Sequence, residues 1–218
     1  MKFELFSKLS ELTSVQWILF GIFAIAFVLL LCLVLSKRKT ANTQTNKFDT
    51  RALVYGAMCV SLGFVLSYIR LFHLPQGGSI TLASMLPVMV YAFWYGPRRG
   101  LIAAFAYALL QFIQDPYFLN FWQFLLDYIL AFGALGLAGV SRKHLLPGVI
   151  LSGALRVFFH FVSGVAFFSS FATEGIGAVW YSFTYQMMTV GPDALICIFI
   201  ILIPAVRNVI DRINPTLQ

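Results

Sequence analysis

Long uninterrupted apolar runs constrain this chain more than any other feature. They reach about 20 residues, enough to cross a hydrocarbon core roughly 30 Å thick at 1.5 Å rise per helical residue. Polar cover is scarce: 11% of the 218 residues are charged and 60% are hydrophobic. A soluble domain carries roughly 25% charged residues, so this chain has too little polar surface to face water. Strands of a membrane β-barrel would alternate apolar and polar residues over about 10 positions. No such alternation occurs. The expected class is an all-α, multi-pass membrane protein embedded in a lipid bilayer.

The first apolar run covers residues 16–36. It is longer than the apolar part of a signal peptide, and no small-residue cleavage pattern follows it. It reads as an extra N-terminal anchor helix. A polar stretch over 36–49, with Lys37, Arg38, Lys39 and Lys47, reads as a solvated linker. Six further segments follow at 51–70, 79–96, 99–114, 120–141, 146–170 and 176–206. Pro75-Gln76-Gly77-Gly78 and Gly96-Pro97 are turn signals. The last segment exceeds one span and is expected to tilt, or to break near Gly191-Pro192. Two units result: an anchor and linker over 1–50, and a six-helix membrane domain over 51–218.

The net charge of +7 does not point to nucleic acid, because its cations sit in short clusters between apolar runs. A phosphate-binding surface would gather them on one polar face. Their placement instead gives sidedness. With the linker cytoplasmic, alternate connections carry Arg98/Arg99, Arg142/Lys143 and Arg207/Arg212. The other side holds Lys2, Lys8 and Arg70 against Glu4, Glu11, Asp115 and Glu174. The expected topology is N-terminus outside and C-terminus cytoplasmic, in a bacterial cell membrane. Trp17, Trp122 and Trp180 fall near outer ends and Trp94 near an inner end, where interfacial anchors belong. Cys32, Cys59 and Cys197 are isolated within apolar segments and have neither metal-ligand nor redox spacing.

Ionisable groups inside spans are costly and usually functional. Asp127, Arg156, His160 and Asp193 are of this kind. Under the expected topology Asp127, His160 and Tyr181 reach a similar depth in the outer half, from three different helices. Tyr128, Gln123, Tyr107, Gln111 and Gln186 are placed to join them, with Phe167 and Phe168. A carboxylate among aromatic rings suits a flat organic cation, through counter-charge and cation–π attraction. The competing reading makes Asp127 and His160 a structural hydrogen bond between helices. Arg156 and Asp193 lie nearer the cytoplasmic half, and a buried structural pair is the preferred reading for them. Ala57 and Ser61, four apart with Gly63 nearby, are small residues that let another helix approach closely. No phosphate-cradling glycine loop, paired metal-ligand motif or nucleophile elbow is present. An intramembrane enzyme using Asp127 and His160 is thus a rival lacking a nucleophile or metal. Energy from ATP would have to come from a partner.

Three ordered blocks carry a family resemblance. The first is Pro75-Gln76-Gly77-Gly78-Ser79-Ile80-Thr81-Leu82 with Ser84-Met85-Leu86-Pro87. The second is Leu126-Asp127-Tyr128-Ile129-Leu130-Ala131-Phe132 with Gly136-Leu137-Ala138-Gly139. The third is Phe158-Phe159-His160-Phe161-Val162-Ser163-Gly164 with Gly177-Ala178-Val179-Trp180-Tyr181-Ser182. From residue 51 to about residue 207 the chain resembles the thiamine-specific substrate-binding (S) components of energy-coupling factor transporters. The resemblance implies a six-helix bundle over 51–206, with thiamine as ligand and no cofactor. It implies as partners a transmembrane coupling subunit and two ATPase subunits.

The resemblance also implies roles. Asp127 matches an acidic ligand-binding position beside a tyrosine, here Tyr128, and His160, Gly164 and Tyr181 match ligand-contacting positions. Ala57 and Ser61 match the small-residue motif that meets the coupling subunit. Some members place tryptophans at the positions of Gly78, Tyr107 and Phe168, and an asparagine is common at Gln186. Those departures leave another vitamin or precursor, such as hydroxymethylpyrimidine or pyridoxine, as the alternative ligand. The 71–78 loop, with Gly77-Gly78, is expected to close over the ligand.

Overall fold

The computed structural model describes residues 50–74, 78–119, 121–141, 143–168 and 177–214. The anchor at 16–36, Trp17, the linker and the 75–77 turn lie outside the described residues. The first described helix, α1 (Thr50–Ser67), leads into an antiparallel hairpin of β1 (Arg70–His73) and β2 (Ser79–Thr81). Then come α2 (Leu86–Tyr95), α3 (Pro97–Gln114), α4 (Phe121–Val140) and α5 (Leu145–Phe167). The chain closes with α6 (Ala178–Met188), α7 (Val190–Leu202) and a short α8 (Pro204–Arg212).

The six segments expected after the linker are all helical, and four are long and apolar enough to cross a membrane: α1, α4, α5 and the α6–α7 pair. Two differ in detail from expectation. The segment expected at 79–96 yields its first three residues to β2, so α2 is only 10 residues long. The break expected near Gly191-Pro192 occurs two residues earlier, at Thr189 (φ −109°, ψ −77°). Pro192 has no N–H to bond back to residue 188, so the ladder fails there.

The bundle is held by close backbone approach. A Cβ on Gly100 would stand 2.5 Å from Ala92 Cβ, and one on Gly136 would stand 2.5 Å from the Leu101 nitrogen. Gly139 lies equally tight against the Ala92 carbonyl, and Gly148 against that of Ala138. Small residues at these crossings let α2, α3, α4 and α5 pack where larger side chains would hold them apart. Met85, Val88, Met89, Tyr107, Leu135 and Val149 fill the centre. Outward, Leu53, Met58 and Val65 of α1 are each 61% exposed, as lipid-facing residues are. Trp122 and Trp180 are exposed at the starts of α4 and α6, as interfacial anchors should be. Trp94 is not: it is buried, edge-on to Tyr55 at 6.2 Å, because α2 is enclosed by its neighbours.

Helix α4 is regular only in part. Its α-helical start, Phe121–Phe124, widens into a π-helical stretch over Leu125–Leu130 and tightens to 3₁₀ over Ala134–Val140. Widened turns of this kind frequently accompany functional sites, since they re-aim a side chain. Asp127 lies in the widened stretch.

Candidate functional site

Asp127 is held from two directions. Gln123, one turn earlier, donates Nε2 to Asp127 Oδ2 at 2.7 Å, and His160 Nδ1 stands 3.1 Å from Oδ1. The pair bridges α4 and α5, and each side chain remains slightly exposed, to a cavity rather than to lipid. His160 Nε2 is buried with no hydrogen-bond partner among the described residues. An unpaired buried ring nitrogen costs about 1–3 kcal/mol unless something fills the place. The Asp127–His160 contact is therefore real, yet it leaves donor and acceptor capacity unused.

The cavity has a volume of about 150 Å³, against the roughly 10–15 Å³ that one water occupies. Its wall is aromatic and polar. Tyr117 and Phe168 stack at 5.6 Å and Tyr181 and Tyr185 at 6.1 Å, and all four rings line it. Tyr128 lies beside Phe132, and its hydroxyl donates to the Asp115 carbonyl at 2.8 Å. Gln186 reaches the His160 carbonyl at 3.4 Å. Gly164 leaves space that Ser182 occupies; a Cβ there would collide with the Ser182 hydroxyl.

Every residue singled out from the sequence as ligand-binding lines this cavity, except Tyr107. Tyr107 is fully buried one layer behind, edge-on to Phe132 at 5.6 Å. It supports the wall without forming it. Gln111, named as a candidate neighbour, lines the cavity, whereas Phe167 does not. Ala57 and Ser61 lie apart from the cavity, exposed on α1. Arg156 and Asp193 do pair, at 3.1 Å. Arg156 also lines the cavity, one turn before His160, whereas Asp193 does not.

Several lining residues escaped the sequence reading. Ser79 and Thr81 come from the hairpin, Asp115 and Tyr117 from the connection after α3, and Tyr185 and Thr189 from α6 and its end. Tyr185 had a usable signal, standing four residues after Tyr181 on the same helical face. Thr81 is positioned by Ala83, whose φ of 53° is rare for a residue with a side chain. That turn brings the Thr81 and Ser84 hydroxyls to 2.7 Å, and Thr81 donates to Asp193 at 2.8 Å. Arg70 and Asp115 form an ion pair of 2.9 Å, linking the hairpin to the end of α3.

Comparison with known proteins gives this geometry a family. The family model described as thiamine transporter protein (Thia_YuaJ) matches residues 53–210. The thiamine transporter ThiT of Bacillus subtilis (strain 168) is 32% identical in a 150-residue alignment covering 59% of this chain and 75% of that protein. The solved structure of ThiT from Listeria monocytogenes superposes with a TM-score of 0.65 at 27% identity, covering 73% of this chain and 96% of that one. The family match contains most of the described bundle, including every cavity residue from Ser67 to Val190. The chain belongs to the thiamine transporter protein (Thia_YuaJ) family, a family of multi-pass membrane transporters rather than enzymes.

Proposed function

We propose that this protein is the thiamine-binding S component of an energy-coupling factor transporter, capturing thiamine from the outer face of a bacterial membrane. The observation that carries the reading is the Asp127–His160 pair set in an aromatic-lined cavity inside the bundle. Thiamine is a cation of two flat rings joined by a methylene. Asp127 balances its charge or pairs with the aminopyrimidine, and the unpaired His160 Nε2 supplies a further hydrogen bond. Tyr128, Gly164, Phe168, Tyr181, Gln186 and Gln123 shape the pocket around it, with Tyr107 acting from behind.

Uptake against a gradient needs an energy source, so the binding subunit works with a transmembrane coupling subunit and two ATPases. Ala57 and Ser61, exposed on the apolar face of α1, offer the coupling subunit a place of close approach. In this reading residues 1–50 are the anchor helix and its polar linker, and residues 51–218 the binding domain. The N-terminus lies outside and the C-terminus in the cytoplasm.

The test is calorimetry on the detergent-purified protein. Thiamine should bind, with hydroxymethylpyrimidine and pyridoxine much weaker in competition. Asp127→Asn should weaken thiamine by about tenfold or more, the scale expected when a charged hydrogen-bonding partner is lost. Unchanged affinity in Asp127→Asn would remove the carboxylate from the site, and tighter binding of another heterocycle would reassign the ligand.

A further inference from the structure

The cavity wall carries more charge than a site for a small cation can accept unless those charges cancel. Arg70, Asp115, Asp127 and Arg156 all line it. Arg70 is answered by Asp115 at 2.9 Å. Arg156 is the harder case. It is 9% exposed, lies on the same face of α5 as His160, and stands one turn away, about 6 Å along the axis. An uncompensated guanidinium there would repel any cation held by Asp127, and inside the bundle that repulsion is less screened than in bulk water. Its answering charge is Asp193, 1% exposed, outside the cavity lining and directly behind.

We propose that Asp193 is a positioning residue that sets the charge selectivity of the site. It cancels Arg156, so that Asp127 carries the net charge of the cavity and the ligand it favours is a monocation. The inference rests on the thiamine-binding reading above and adds a specificity determinant to it. The geometry is built for a fixed charge pair. Asp193 Oδ2 accepts from Arg156 Nη1 at 3.1 Å, and Oδ1 accepts from Thr81 at 2.8 Å. Thr81 is itself tied to Ser84, and the guanidinium lies over the Phe132 ring at 4.4 Å. Both carboxylate oxygens are engaged as acceptors and the guanidinium cannot swing away. A purely structural role for the pair would affect all ligands alike. An electrostatic role discriminates by ligand charge.

That difference is measurable with two ligands of one shape. Thiamine is cationic; in deazathiamine a carbon replaces the charged thiazolium nitrogen and the molecule is neutral. Wild-type protein should prefer thiamine, Asp193→Asn should weaken thiamine by about tenfold or more, and deazathiamine should change by less than about threefold. Removing both charges, in Arg156→Gln with Asp193→Asn, should return the thiamine-to-deazathiamine ratio to within about threefold of wild type. The double variant also serves if Asp193→Asn alone does not fold, since it leaves no unpaired buried charge. Parallel losses for the two ligands, a wild type without preference for the cation, or a double variant that loses the preference would each overturn the proposal. A wild type that binds no thiamine would sink the functional reading itself, whereas thiamine binding with parallel losses would sink this inference alone.

Discussion

At the scale of single residues, the contact between Gly78 and Tyr185 shows how local chemistry serves the site. The Gly78 N–H donates to the Tyr185 hydroxyl at 3.1 Å, fastening the end of the hairpin to α6. A Cβ at position 78 would stand 2.5 Å from that oxygen and 2.7 Å from Thr189 Cγ2, so any larger residue would push the Tyr185 hydroxyl and this bond aside. Both residues line the cavity, and their bond holds one edge of it shut. One hydrogen bond is worth about 0.5–1.5 kcal/mol, so Tyr185→Phe should speed thiamine release roughly 2–10-fold. Association should change little, and stopped-flow fluorescence measures both rates. An unchanged release rate would separate the hairpin from ligand retention. The sequence exposed Asp127 and His160 because ionisable groups inside apolar runs stand out. It hid Tyr185, Tyr117 and Thr81 because tyrosine and threonine are ordinary in membrane helices and loops. Only the fold reveals which of them meet.

At the scale of elements, hydropathy located the six segments because each must bury its own backbone hydrogen bonds in lipid. It could not give their kind. A π-helical turn at Leu125–Leu130 and a 3₁₀ stretch at Ala134–Val140 are as apolar as the α-helix around them, so no periodicity marks them. The hairpin was equally hidden: its strands have four and three residues, and one was absorbed into an expected span. What the sequence does carry for the 3₁₀ stretch is its glycines. Gly136 lies where α3 crosses, with the backbone of Gly100 and Leu101 within 2.6 Å of a hypothetical Cβ. Backbone cannot step aside as a side-chain end can. Gly136→Ala should therefore lower stability by about 1–3 kcal/mol, the usual cost of overpacking. Thermal melting in detergent reads this, while thiamine affinity of the folded fraction should stay near wild type. A melting temperature equal to wild type would mean that α3 and α4 can separate freely at this crossing.

At the scale of the whole molecule, sidedness and the cavity explain each other. The first turn of α3, the connection from α4 to α5 and the last helix carry Arg98, Arg99, Lys143, Arg207 and Arg212. The opposite connections supply Arg70, Gly78, Asp115, Tyr117 and Phe168 to the cavity wall, and none of these basic residues lines it. The cavity thus opens at the end that is poor in cations. In the proposed topology the cationic connections stay cytoplasmic during membrane insertion, which would turn the cavity outward, as capture of an external ligand requires. Two single-cysteine variants test the whole arrangement, made with Cys32, Cys59 and Cys197 replaced. Phe118→Cys lies in the connection after α3 and Asn208→Cys in α8, and both positions are exposed. In intact cells a membrane-impermeant maleimide should label position 118 and spare 208 until the membrane is permeabilised. The reverse pattern would turn the cavity toward the cytoplasm. Capture from outside would then be untenable, even with the chemistry of Asp127 and His160 unchanged.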